Sequence, residues 1–506
     1  MLPFGSDPKP NVWIDNDDTS DTYIELLGFA AAASGRITLH GMSSTSSVQP
    51  FNPYVSSQVA DTFGRERIAE YNDAVNSGMD RARLPVPSGI YKGHFTRPAS
   101  RAIEDTKPLR LPAASELVAA IHAFATPANP MIVCAGGQLT VVADAYLQDP
   151  SIADKLVVSF IGDTTNAFLG YNEKSDPWAT YIVCSRLTIA SFPAGTSYKA
   201  IAPVVTKQRI IDDMPASPIQ GRAYAKDHPT NALPDDRDAD GLALAAVIDR
   251  QNYVTGVTRM RVTGQTSEGL PTVSPDPGGN IYMVNSVNQA AGTNIWWATV
   301  SDPPVYLGGG GFSFSPVAVD DFNRSNSGDL GPGWEDVGSS SGGKMVTASR
   351  ATAGAGPANA KRTDAYANDQ FAQVVFSTAP SRGNYPGLAT RFSNSGDQIS
   401  GYQLFANETR ELALQKYVFG SPRTMLLQGM PVPVAGQTVR LVSLGDSHSV
   451  WLSSGDPKHP LHVDGFELVG VIRDNALASG TTAITSYYTS SGAMDDWVSG
   501  NLTRWD

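Results

Sequence analysis

Up to about residue 300, short apolar runs alternate with longer stretches whose apolar positions recur every three to four residues. The short runs at 12–15, 36–43, 131–135, 156–161 and 198–205 predict strands. The longer stretches at 21–34, 58–76, 113–125, 139–148, 174–184 and 240–249 predict helices. Leu117, Ile121 and Phe124 make one apolar helical stripe, with Ser115 as its capping region. Strands alternating with helices predict an α/β unit, with a mostly parallel sheet covered on both faces. Ligands of such sheets bind beyond the C-terminal strand ends.

The pattern changes at 302–317, a Gly/Pro-rich passage with four consecutive glycines, which reads as a linker. Beyond it the period shortens to two. Runs at 371–377, 386–392, 401–406, 411–419, 437–443, 447–453, 466–472 and 482–488 are bounded by Gly, Asn, Asp and Ser. That many short strands predict an all-β jelly-roll sandwich. The expected layout is therefore an α/β domain at 1–301, a linker at 302–317 and a β-sandwich at 318–506.

Composition narrows the function classes. A chain of 506 residues exceeds one core, and 41% hydrophobic with 17% charged residues is globular. A net charge of −12, with no Lys/Arg cluster among aromatics, argues against nucleic-acid backbones and anionic membranes as partners. No apolar run reaches a membrane span. The first residues carry no secretory pattern, so synthesis in a cytoplasm is expected. Cys134 and Cys184 both sit in apolar stretches; buried thiols are the default reading, and a bridge between them stays open. His40 and His122 lie in apolar patterns and read as core histidines, and the run from Asp235 to Asp238 reads as a solvated loop.

The densest chemistry lies at 13–27. An apolar entry reaches Ile14, Asp15, Asp17, Asp18 and Asp21 follow, and a helical pattern then begins. Carboxylates at a strand tip suit a hard cation, whereas Asp17, Asp18 and Ser20 equally suit the capping of a helix start. The spacing Asp15-x-Asp17-x-x-x-Asp21 resembles the D-x-D-x-x-x-D-D signature of the nucleoside hydrolases. Further segments follow that family in order: 35–44 its second strand, 130–143 its strand with the G-P-L-T-N-x-A turn, 149–162 its next helix end and strand. Gly170 to Pro177 matches E-F-N-x-x-x-D-P, and Asp240 to Ala246 matches H-D-P-L-A-x-A.

The resemblance implies an N-glycoside hydrolase in which Ca²⁺ holds ribose hydroxyls and the attacking water. Asp17 matches the metal ligand that also acts as catalytic base. Asp240 and the Gly136 carbonyl match further metal ligands, and Asp15 matches the supporting aspartate. Asp21 and Asn172 match the ribose-binding residues. This sequence also departs from the pattern: the bidentate fourth aspartate is Thr22, the ribose-contacting asparagine is Val48, the glutamate of E-F-N is Gly170 and the histidine before the distal aspartate is Ala239. Losing a bidentate carboxylate removes a charge and up to two oxygens from a Ca²⁺ shell. A degenerate domain with weak or no turnover follows, with Ca²⁺ bound or absent.

The second half resembles concanavalin A-like (laminin-G-like) jelly rolls. It opens on Asp320-x-Phe322-x-Arg324 and closes on Asp495-Asp496-Trp497. Such modules accompany carbohydrate-active enzymes and bacteriophage tail proteins. Tyr402, Tyr417 and Trp451 are candidate glycan-stacking aromatics, and Asp320, Asp321, Asp495 and Asp496 form a candidate structural Ca²⁺ site. The resemblance as a whole implies a virion component of minor tail or receptor-binding type. Other tail proteins, copies of itself and cell-surface glycans would be its partners, and it would meet the cell surface after lysis. The competing expectation is an active Ca²⁺-dependent nucleoside hydrolase targeted by a lectin-like domain.

Overall fold

The computed structural model describes residues 2–17, 23–46, 71, 90–92, 94–162, 170–192, 200–206, 209, 237–301, 312–337, 344–347, 350–353, 358–379, 385–395, 398–406, 411–419, 421–453, 462–463, 465–487 and 494–504. Among these residues the chain divides into two compact units, one reaching Ser301 and the other starting at Phe312.

The first unit contains β1 (Asn11–Asn16), α1 (Ile24–Ala33), β2 (Thr38–Ser46), β3 (Ile90–Lys92), α2 (Pro112–Phe124), β4 (Met131–Ala135), α3 (Thr140–Gln148) and β5 (Leu156–Ile161). It continues with α4 (Tyr171–Ser175), α5 (Pro177–Arg186), β6 (Thr188–Phe192), α6 (Gly241–Ile248), β7 (Val254–Gln265), β8 (Pro271–Pro275), β9 (Ile281–Val287) and α7 (Gln289–Val300). The sheet order is β3-β2-β1-β4-β5-β6-β9-β7-β8. Pairing is parallel from β3 through β9 and antiparallel for β9–β7 and β7–β8.

Alternation along the strands builds two cores. Trp13, Met131, Val133, Val158 and Ile189 pack with Leu117 and Ile121 of α2, Val141 of α3 and Val183 of α5. The opposite face meets α1 and α6: Ile14 lies against Gly28, and Ser159 donates to the Ala243 carbonyl at 2.9 Å. Both faces are covered, which is why the strands read as continuous apolar runs.

Several expectations need correction. The helix expected at 174–184 is two helices, because Asp176 caps a new start at Pro177, whose ring cannot continue the preceding turn. The strand expected at 198–205 is not formed where described; Val204 makes one isolated bridge to Arg237, and β6 at 188–192 supplies the strand instead. Helix α2 begins at Pro112 rather than at Ser115, and Asp144 of α3 accepts from Leu109, Arg110 and Leu111 N–H just before it. His122 is no core residue: its ring bonds Asp149 at 2.7 Å with its side chain 43% exposed. The helix expected at 58–76 lies outside the described residues apart from Tyr71. Both cysteines are free and buried, and burial pushes both thiols up.

The second unit contains β10 (Phe312–Asp320), β11 (Trp334–Val337), β12 (Lys344–Thr347), β13 (Arg350–Ala353), β14 (Ala358–Arg362), β15 (Gln370–Phe376), β16 (Tyr385–Ser395) and β17 (Gln398–Ala406). Then follow β18 (Leu412–Tyr417), β19 (Thr424–Met430), β20 (Thr438–Leu444), β21 (Ser447–Ser453), β22 (His462–Val463), β23 (Phe466–Arg473), β24 (Thr481–Tyr487) and β25 (Met494–Arg504). One sheet runs β12-β13-β25-β15-β20-β21-β23-β22 with β10 beside β25, and the other runs β11-β14-β24-β16-β17-β18-β19. Every pairing is antiparallel, and Val374, Leu388, Leu404, Leu414, Leu441, Val450 and Ile484 interdigitate between the sheets. The expected linker is shorter than 302–317, because 312–317 already belong to β10.

The opening motif of this unit is a structural clasp. Asp320 takes both Arg324 N–H arms, the Phe322 N–H and the Trp334 indole N–H at 2.7–2.9 Å. These donors hold the Asp320 carboxyl below its usual range despite burial. Trp334 in turn meets Trp497 edge-on at 5.3 Å. Asp320 is thus engaged by the Arg324 guanidinium.

Candidate functional site

The site of the first unit forms where β1 and β4 end side by side. Asp15 pairs with Ala135 in register, and Gly136 N–H donates to the Asp15 carbonyl at 3.0 Å. The chain therefore delivers Asn16 and Asp17 directly beside the Gly136–Gly137 turn. Both glycines are required by close approach. A Cβ on Gly136 would sit 2.2 Å from Asn16 Oδ1 and 2.6 Å from Asp240 Cγ; one on Gly137 would sit 2.9 Å from Asp17 Cβ. Asp240, at the start of α6, thus reaches the same turn from the other side. Of the expected residues, Asp15, Asp17, Asn172, Asp240 and Gly136 come together, and all four side chains are buried. Asp21, Thr22 and Val48 lie outside the described residues.

The hydrogen bonds assign each residue a task. Asp15 Oδ1 accepts from Ser43 Oγ at 2.7 Å and Thr45 Oγ1 at 2.8 Å, and Ser43 is itself the acceptor of the Trp13 indole N–H. These bonds tie β1 to β2. Asn16 Oδ1 accepts the Asp17 N–H at 3.0 Å, while its Nδ2 donates to Glu25 at 3.2 Å. Asn172 gives one amide hydrogen to the Gly136 carbonyl at 2.8 Å and the other to the Ile161 carbonyl at 2.9 Å. Its two donors therefore hold the ends of β4 and β5 rather than facing a ligand.

Sequence reasoning missed two carboxylates. Asp238 is fully buried, not solvated. It accepts from Tyr23 N–H and Gly241 N–H at 3.0 Å and from the Trp296 indole at 2.7 Å, joining the starts of α1 and α6 to α7. Glu25 is 1% exposed on an otherwise apolar helix, beside Asn16. A lone Glu in Ile-Glu-Leu-Leu-Gly-Phe was the available signal, because a buried carboxylate needs a partner. Asp176 is another buried acid; desolvation pushes its carboxyl up to about 6, against the bonds from Thr140, Ala179 and Phe95 that favour the charged form.

Calcium takes six to eight oxygens. Among the described residues no three Asp, Glu, His or Cys side chains gather as a metal-holding group. Asp17, Asp240 and the Gly136 carbonyl flank one turn, but that carbonyl already accepts from Asn172 and one Asp15 oxygen already accepts from two hydroxyls. The described residues alone do not make up a Ca²⁺ shell.

In the second unit, Tyr402 is fully buried in the inter-sheet core and Trp451 is 2% exposed, its indole N–H donating to Ser449. Neither offers a ring face to a sugar, which corrects both assignments. Tyr417 is half-buried, and its hydroxyl accepts from Gln415 at 2.9 Å.

No protein-family model and no curated protein matches the chain. Among solved structures, the chain is similar to a plant nucleoside hydrolase, with 18% identity, 59% of this chain and 100% of that chain covered, and a TM-score of 0.41. It is similar to a purine-preferring ribonucleoside hydrolase from Gardnerella vaginalis, with 15% identity, 59% and 98% covered, and a TM-score of 0.41. It is also similar to a carbohydrate-binding module from Bacillus subtilis, with 15% identity, 35% and 98% covered, and a TM-score of 0.25.

Proposed function

We propose that the chain is a bacteriophage virion component of minor tail or receptor-binding type. Its first unit is a nucleoside-hydrolase-like domain whose site has become structural, and its second is a lectin-like domain that engages cell-surface glycans. One observation carries the loss of turnover. Asn172, the residue expected to hold a ribose hydroxyl, is 7% exposed and gives both amide hydrogens to backbone carbonyls, so it has no donor to spare and only its Oδ1 could meet a hydroxyl. Thr22 and Val48 stand where the nucleoside-hydrolase pattern has a bidentate ligand and a ribose contact. A substrate hydroxyl left without its partner costs about 1–3 kcal/mol.

The virion role rests on the sequence: a jelly roll resembling phage tail modules, joined to a hydrolase-like unit, in a chain of low charge with abundant Gly turns. Copies of itself and other tail proteins are its partners, and after synthesis in the host cytoplasm it works outside the cell. Peptides of this chain are expected in the mass spectrum of purified particles; particles that lack it overturn the proposal.

A second reading, Ca²⁺-dependent hydrolysis of an N-glycoside, is favoured by the approach of Asp17 and Asp240 to the same Gly136–Gly137 turn. It requires ribose release that disappears in Asp17→Ala.

A further inference from the structure

Between the two sheets of the second unit lies a buried polar network in which Tyr402 takes part. His448 of β21 is fully buried. Its Nε2 lies 2.9 Å from the Asp474 carbonyl, which can only accept, so Nε2 carries the ring proton. Nδ1, 2.8 Å from Ser443 Oγ, is then the acceptor, and Ser443 continues to Thr390 Oγ1 at 2.6 Å. The Tyr402 ring covers the imidazole with centroids 3.6 Å apart, and its hydroxyl donates to Asp474 Oδ1 at 2.6 Å. The neutral imidazole is therefore built into the contact between β21 of one sheet and β17 of the other.

The same residues fasten the segment that crosses from β23 to β24. Asp474 pairs with Lys416 of β18 and accepts the Ala476 N–H, and Leu477 N–H reaches Tyr402 Oη at 3.2 Å. Arg391 of β16 donates to the Leu477 carbonyl at 2.9 Å and to the Asn368 and Gly445 carbonyls. The charges facing His448 are thus Asp474, Lys416 and Arg391, with Asp369 and Asp446 beyond Arg391. A proton on Nδ1 would force the Ser443 hydroxyl to turn away. It would also add a third cation beside Lys416 and Arg391, where Asp474 is already bound to Lys416.

We propose that His448 is an acid-sensitive latch: its protonation releases the Asp474–Leu477 segment and loosens the two sheets at that end. The direction follows from the buried geometry, and desolvation holds the folded imidazole down at about 3. Below the ordinary imidazole pKa of about 6.5, an opened state takes up a proton that the closed state refuses. The open population then rises tenfold per pH unit, or about 100-fold at pH 4.5 relative to neutral pH.

Hydrogen exchange of the full chain at pH 7 and 4.5, corrected for intrinsic rates, reads this directly. Amides of 474–477 should lose protection about 100-fold in the wild type and stay within about threefold in His448→Gln, which keeps an N–H for the Asp474 carbonyl. Equal loss in both proteins, or full protection of the wild type at pH 4.5, overturns the latch. If His448→Gln does not fold, imidazole NMR of the wild type decides: a His448 signal titrating near 6.5 without exposure of 474–477 overturns it, and a signal held neutral until the segment opens supports it.

Discussion

Trp296 donates its indole N–H to Asp238 at 2.7 Å, and neither residue reaches solvent. That bond makes Asp238 the joint of three helices, because its other oxygen caps α6 and holds the N–H of Tyr23 at the entry to α1. Asp240, two residues further, is thereby set against Gly136. The position of the candidate site thus depends on a carboxylate outside it.

Asp238→Ala strands three buried donors at once. With each unpaired buried group costing about 1–3 kcal/mol, and the losses not additive, a destabilisation of about 4 kcal/mol is expected. Trp296→Phe takes one donor from Asp238 and leaves it the Tyr23 and Gly241 N–H groups, and should cost less, about 2 kcal/mol. Denaturant unfolding followed by tryptophan fluorescence compares them; equal effects would show that Asp238 is not the joint.

Gly136→Ala tests the approach of Asp240 and Asn16. A methyl 2.2 Å from Asn16 Oδ1 and 2.6 Å from Asp240 Cγ fits only if one of them moves, at about 3 kcal/mol. Gly35→Ala is no neutral control, because Gly35 has φ +74°; Gly328→Ala, with nothing within 4 Å of the new methyl, should change the thermal midpoint little. A Gly136→Ala protein as stable as the wild type would mean that Asp240 does not pack on this turn.

The Asp176 carboxyl gives the first unit a pH signature. Its folded pKa of about 6 lies above the ordinary 3.8, so between these values the unfolded chain releases a proton that the folded chain keeps. Stability from this group is complete below pH 4, falls as pH rises to 6 and is flat above, by about 3 kcal/mol in all. Asp176→Asn should remove that fall, while costing stability at pH 4 through its weaker acceptance from Thr140, Phe95 and Ala179. Unfolding curves from pH 4 to 7 check it, and an unchanged slope in the variant refutes the assignment.

The strands at 131–135 and 156–161 were legible because they are apolar on both faces and bounded by turn residues. β6 was hidden, since it follows α5 with no Gly or Pro between them, helix and strand meeting at Leu187. β10 was legible in Phe-Ser-Phe-Ser, but the glycines before it dominated the reading. β19 lacks alternation in Met-Leu-Leu-Gln-Gly-Met and gave no period-two signal. In the site, the meeting of Asp15 and Asp17 with Gly136 and Asp240 was legible only through the resemblance to the nucleoside hydrolases, because the Asp spacing alone equally suits a helix cap. The role of Asp238 was not legible, because its donors come from Tyr23 and Trp296, 215 and 58 residues away. Tyr402 and Trp451 misled for a related reason: strand sequence shows which face a residue shares, not what covers that face.

The central claim is that the nucleoside-hydrolase-like site has become structural. The most direct measurement is free ribose released from purine and pyrimidine ribonucleosides, and from NAD, by the full chain with Ca²⁺ added. The account predicts release no faster than in buffer, with Asp17→Ala indistinguishable from the wild type. Turnover of any of these substrates that vanishes in Asp17→Ala would contradict it.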